Sequence, residues 1–120
     1  MKTDNSKQAV EQEEKTILPE GVTEQMIAEW KQKYGKIKLK TVYPEDREPF
    51  STVTIIPNTE VTSEFIKFSD KDFKKAMSIL VKNCVLHRKD DIMKDTEIFY
   101  SVGKAIADDL PISRNVSKNL

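Results

Sequence analysis

KIKLKTVYPEDREPFSTVTII, residues 36–56, is where the hydrophobic period of the chain drops from about four residues to two. Ile37, Leu39, Thr41 and Tyr43 alternate with Lys36, Lys38, Lys40 and Val42, the pattern of a half-buried strand whose other face is rich in lysine. Two prolines and four charges between Pro44 and Phe50 interrupt it. A β-branched run, Ser51 to Ile56, then forms a second strand and stops at Pro57. Together they read as a hairpin with a mobile tip. A lone hairpin is marginal in water, so helices must cover one face of it, and the face expected to be covered is Ile37, Leu39, Val53 and Ile55.

The flanks supply those helices. Upstream, Val22, Met26, Ile27, Trp30 and Tyr34 recur at steps that place them on one helical stripe, with Thr23 as N-cap and Gly35 as the stop. Downstream, Asn58 or Thr59 opens a short helix carrying Val61, Phe65 and Phe68. Ser69, with Asp72 three positions on, resembles a capping box for the next helix. That helix carries Phe73, Ala76, Met77, Leu80, Val81 and Cys84, the longest apolar face and the expected centre of the core. After a polar break from His87 to Lys94, Asp95 caps a last helix from about Thr96 to Leu110, with Phe99, Val102, Ile106 and Leu110 as its stripe and Pro111 as its stop. The expected fold is α+β: an N-terminal helix, a two-stranded antiparallel hairpin and two to three C-terminal helices. Residues 1–18 hold too few aliphatics to offset ordering entropy and read as a disordered arm, 19–111 as a single α+β domain and 112–120 as a flexible tail.

A chain of 120 residues has room for one hydrophobic core. Its 20 Lys and Arg cancel its 20 Asp and Glu, so the overall field that draws proteins to nucleic acid or anionic lipid is missing. No apolar run approaches the roughly 18 residues of a membrane span, and Met1 to Thr16 lacks the apolar core of a signal peptide. A single cysteine forms no internal disulfide, which favours a reducing, cytosolic setting.

The residues offer few starting points for catalysis. Cys84 and His87 are the one Cys/His pair, spaced for one side of a helix, but zinc needs two more ligands and a thiol nucleophile needs an orienting partner. A buried cysteine beside a helix-end histidine is the simpler reading. Asp90, Asp91, Asp95 and Glu97 lack the alternating ligands and turn glycine of a calcium loop and read as a solvated loop that caps the last helix. Gly21, Gly35 and Gly103 stand too far apart for a phosphate cradle, and Gly103, inside a helix, marks a close helix contact. Lys31, Lys33, Lys36, Lys38 and Lys40, near Trp30 and Tyr34, read first as a charged strand face that discourages edge pairing and second as a surface for acidic proteins or nucleic acid. No enzyme, cofactor or metal is expected.

The run LPEGVTEQMIAEWKQKYGKIKLKTV, followed by a second strand and by FKKAMSILVKNCVL and DDIMKDTEIFYSVGKAIADDL, resembles small tail assembly chaperones of tailed phages and prophages, especially those of Bacteroidetes-type genomes. The resemblance spans about residues 18–110. It rests on Trp30, Tyr34 and Gly35, on Leu80, Asn83, Cys84 and Leu86, and on Asp95, Glu97 and Phe99. Where the resembling proteins often carry a Trp and a Gly-rich turn after the Asn-Cys pair, this chain has Val85, Leu86 and His87-Arg88-Lys89. The resemblance implies a non-enzymatic factor in the cytoplasm of the bacterial host that holds the tape-measure protein soluble during tail assembly and then leaves. Candidate contacts are Trp30, Tyr34, Phe99 and Tyr100, weighed against ordinary core packing of the same aromatics. A phage tail protein and a second copy of the chain are the candidate partners. The alternatives are a structural tail or head-completion protein, and a small regulatory or nucleic-acid-binding module using Lys31 to Lys40.

Overall fold

The computed structural model describes residues 18–112 and 116–120. Apart from Leu18, the arm expected over residues 1–18 lies outside the described residues, as do residues 113–115 of the expected tail. The fold is α+β, with the order α1 (Glu24–Tyr34), β1 (Ile37–Val42), β2 (Phe50–Ile55), α2 (Thr59–Ser69), α3 (Phe73–Cys84), α4 (Lys89–Lys94) and α5 (Thr96–Ala107). No helix among the described residues is long and apolar enough to cross a membrane. The chain divides into two compact units, one ending at Gly35 and the other beginning at Lys36.

The first unit contains α1, whose two ends follow from its sequence. The Met26 N–H donates to Thr23 Oγ1 at 3.1 Å, which satisfies one of the donors left open at a helix start. At the other end Gly35 adopts φ 80° and donates its N–H to the Lys31 carbonyl at 2.8 Å, a conformation that costs a residue without Cβ little. None of the α1 residues is fully buried; Trp30 is half-buried and Tyr34 is exposed.

The second unit is built on the expected antiparallel hairpin, with register pairs Ile37–Ile55, Leu39–Val53, Lys40–Thr52 and Val42–Phe50. Three helix starts carry side-chain caps: Asn58 accepts from the Val61 N–H, Asp72 from Lys75 and Asp95 from Ile98. Each such cap contributes about 1 kcal/mol. Asp72 is therefore the cap of α3, while Ser69, expected to share in it, closes α2 by donating to the Ile66 carbonyl. The polar break folds in part as α4. Arg88 enters it in the left-handed region at φ 60°, and Ile92 points inward with no exposed surface.

The core joins Met77, Leu80, Val81 and Cys84 of α3 to Ile92 of α4, Ile98, Phe99, Val102 and Ile106 of α5, and Val42 of β1. Gly103 stands where α3 and α5 come together: a Cβ there would lie 2.6 Å from Met77 Sδ, so the expected close contact is present. Phe73, expected in this core, is instead 55% exposed, because it is the first residue of α3 and lies beyond the packed turns.

The hairpin buries residues of both its faces, where only one was expected to be covered: Val53 is buried and Ile55 packs against the core as expected, and part of the opposite face is buried too. Val42 belongs to the core, and strand alternation places Lys40 and Lys38 on its side of the sheet, with Thr52 and Thr54 across from them. Both threonines are fully buried, whereas Leu39 on the opposite face is 41% exposed, although its partner Val53 is buried. Two things make the lysine side acceptable against helices. Lysine stems are apolar and long enough to cover neighbouring surface, and their ammonium groups reach Asp109, which follows α5: Lys40 Nζ lies 2.8 Å from Oδ2 and Lys38 Nζ 3.9 Å from Oδ1. Beyond β2, Val85 bridges to Thr54, the Leu86 N–H donates to the Val53 carbonyl, and Thr52 Oγ1 donates to the His87 carbonyl. The chain after α3 thus lies along the β2 edge.

Candidate binding site between three helices

Helical spacing brings the site together. On α3, Lys74 and Ser78 are one turn apart and share a face; on α5, Thr96 and Tyr100 do the same with Phe99 beside them; α4 adds Met93. These six residues line a hollow of about 150 Å³. Phe99 is almost wholly buried, and Tyr100 meets it edge to face with ring centres 5.0 Å apart. Tyr100 also lies parallel to Phe73, with centres 6.0 Å apart and planes within 2°. Phe73 and Met93 present apolar surface to solvent at the same place. The polar groups on the lining are the Lys74 ammonium and the hydroxyls of Ser78, Thr96 and Tyr100. Such a surface offers aromatic contact area and hydrogen-bond donors, the composition of a recognition surface.

Of the four aromatic contacts expected from the sequence, Phe99 and Tyr100 stand together at this hollow, and Phe99 is also part of the core. Trp30 and Tyr34 belong to the first unit, where Lys33 Nζ lies 5.1 Å from the Tyr34 ring centre. Phe73, Lys74, Ser78 and Met93 were not expected at a site. Phe73 fitted the core stripe, and Met93 sat in a segment without visible periodicity. The signal for Phe73 was its position one residue after a capping aspartate, where an apolar side chain has only half a turn of helix to shelter it.

The other charged clusters have structural partners. Asp95 and Glu97 hold Arg47 of the hairpin loop, at 2.5 Å and 2.8 Å, and the Glu45 N–H donates to Glu97 Oε2 at 2.8 Å. The loop expected to be a mobile tip is thereby tied to the start of α5. Hydrogen bonding from Arg47 and from the Ile98 N–H lowers the Asp95 pKa, and bonds from the Glu45 N–H and Arg47 lower that of Glu97. The same bonds raise the pKa of Arg47. Asp91 pairs with Arg88, so the four acids do not converge. Among the described residues no group of three or more His, Cys, Asp or Glu is placed to hold a metal ion. Cys84 is fully buried, and desolvation pushes its thiol up to about 11, far from the thiolate a nucleophile requires. Because α3 ends at Cys84, His87 is not one helical turn away on a shared face. Lys38 and Lys40 are engaged by Asp109, which removes two cations from the expected basic stretch and leaves Lys31, Lys33 and Lys36 exposed.

No family model matches the chain, and no curated protein matches it. Among solved structures, that of an uncharacterised protein from Bacillus stearothermophilus is similar, with a TM-score of 0.60 at 17% identity over 78% of this chain and 99% of that one. At that identity the likeness is one of fold: the arrangement of hairpin and helices occurs in a second protein of very different sequence.

Proposed function

We propose that this chain is a non-enzymatic assembly chaperone of a tailed phage or prophage, acting in the bacterial cytoplasm to hold a helical segment of the tape-measure protein in soluble form. The observation that supports this reading is the stack of exposed Phe73 on half-buried Tyr100, with exposed Met93, at the hollow between α3, α4 and α5. Apolar anchors of an amphipathic helix dock in such grooves, and aromatic side chains at the centre of a contact carry most of its energy. The sequence resemblance supplies the identity of the partner.

The test is co-expression with the proteins encoded on either side of this one, capture on this chain, and mass spectrometry of what co-purifies. Recovery of a long, helix-rich neighbour that is insoluble when expressed alone is the expected result. Tyr100→Ser and Phe73→Ser should reduce that recovery while leaving the far-ultraviolet circular dichroism unchanged. Recovery of the chain alone, without a solubility effect on any neighbour, would overturn the chaperone reading. Stoichiometric presence in purified particles would then favour a structural subunit.

A further inference from the structure

The hollow between α3, α4 and α5 constrains its occupant in size and in charge. A cavity of about 150 Å³ holds a group the size of benzene, so one large side chain enters and the rest of a partner lies across the rim. Phe99, Tyr100 and Met93 offer that side chain aromatic and thioether contacts.

Charge supplies the second constraint. Lys74 is the charged residue on the described lining, and it has no carboxylate partner among the described residues. Asp72, two positions before Lys74, caps α3, and Asp95 and Glu97, on either side of Thr96, hold Arg47, while Asp90 is exposed on α4 one turn before Lys94. Lys94, next to Met93, and Lys104, one turn after Tyr100, are both exposed and lie on two of the three helices that carry the lining. A partner that brings a cation here meets like charge, and one that brings a carboxylate finds an unpaired ammonium.

We infer that the occupant is a large apolar side chain on an acidic amphipathic helix, with a carboxylate about one turn from the anchor reaching Lys74. The inference rests on the chaperone reading of the same hollow and specifies which face of a partner helix it takes. Because the ion pair forms at a solvent-exposed rim, charge selects between partners and the apolar anchor supplies most of the affinity.

Two fluorescein-labelled helical peptides test this, identical except that the residues one turn before and after a central Phe are Glu in one and Lys in the other. Each is titrated with the full chain and followed by anisotropy at low and at moderate salt. The acidic peptide should bind roughly fivefold more tightly, with the preference shrinking as salt rises. Lys74→Glu should reverse the preference, and Phe73→Ser should weaken both peptides. Equal affinities, or a preference unchanged in Lys74→Glu, would overturn the acidic partner; if Phe73→Ser still weakened both, the hollow would stand as a helix-binding site. Binding of neither peptide would overturn the inference, and the co-expression result then shows separately whether chaperoning fails with it. Both positions lie exposed in the first turn of α3, and circular dichroism of each variant confirms that the fold is intact.

Discussion

The segment that carries α5 is tied to the hairpin by ion pairs at both ends, in opposite surroundings. At the start, Arg47 spans Asp95 and Glu97 with side chains that are 44%, 32% and 44% exposed. Just past the other end, Lys40 meets Asp109 with 17% and 13% exposed. Water and salt screen the first cluster, so it sets the position of a loop more than it holds the domain together. The second has already given up much of its hydration, so removing one partner strands the other. Between them the contact is apolar, through Val102 and Ile106. One helix thus shows three grades of attachment, and burial rather than bond type separates them.

Cutting the apolar middle should have the largest effect. Ile106→Ala removes a side chain with no exposed surface and should cost about 2 to 5 kcal/mol, read from denaturant midpoints. Next comes the sheltered pair: Lys40→Met, which keeps the stem, should cost about 1 to 2 kcal/mol, and adding Asp109→Asn should restore part of it. Full additivity of those two changes would show that the pair is not coupled. A smaller effect of opposite sign is expected at Thr54, whose hydroxyl is buried with no hydrogen-bond partner among the described residues. Thr54→Val keeps the shape and should raise stability by about 1 kcal/mol.

Arg47→Ala should have the smallest effect on global stability, but it should speed amide exchange in the loop through Glu45. Its pH dependence has a definite sign. Asp95 and Glu97 are lowered from their ordinary values of 3.8 and 4.5. The stabilisation from the bonded carboxylates is therefore complete above those values and disappears as pH falls through the lower folded-state values. Wild type and Arg47→Ala should differ at pH 7 and converge in strong acid. A difference that persists there would mean that the loop is held by packing and that the ion cluster is incidental.

Residues whose structure depends on near neighbours were legible from the sequence. Thr23 and Asp95 cap their helices as read, Asn58 is the cap of the two residues offered for α2, and Gly35 ends α1, because capping needs only an acceptor and an N–H three positions on. The α3 stripe from Ala76 to Cys84 was equally clear, since 3.6-residue spacing fixes which side chains share a face. The candidate site was legible in part. Tyr100 and Phe99 were singled out as aromatics, whereas Lys74, Ser78 and Met93 acquire meaning only when three helices meet.

Local chemistry in the sequence therefore determined the element types, the caps and the pairing of two strands. Tertiary structure alone decided that the lysine-bearing face of the hairpin is covered as well, besides Val53 and Ile55. Alternation divides a strand into two faces without saying which one a helix will cover, and here Asp109, far along the chain, receives the lysines that composition assigned to solvent. It also decided that the hairpin loop is fastened by Arg47 and that Phe73 stays outside the core beside Tyr100. Each of these outcomes depends on the burial and partners of residues distant in sequence, and those exist only once the helices have packed.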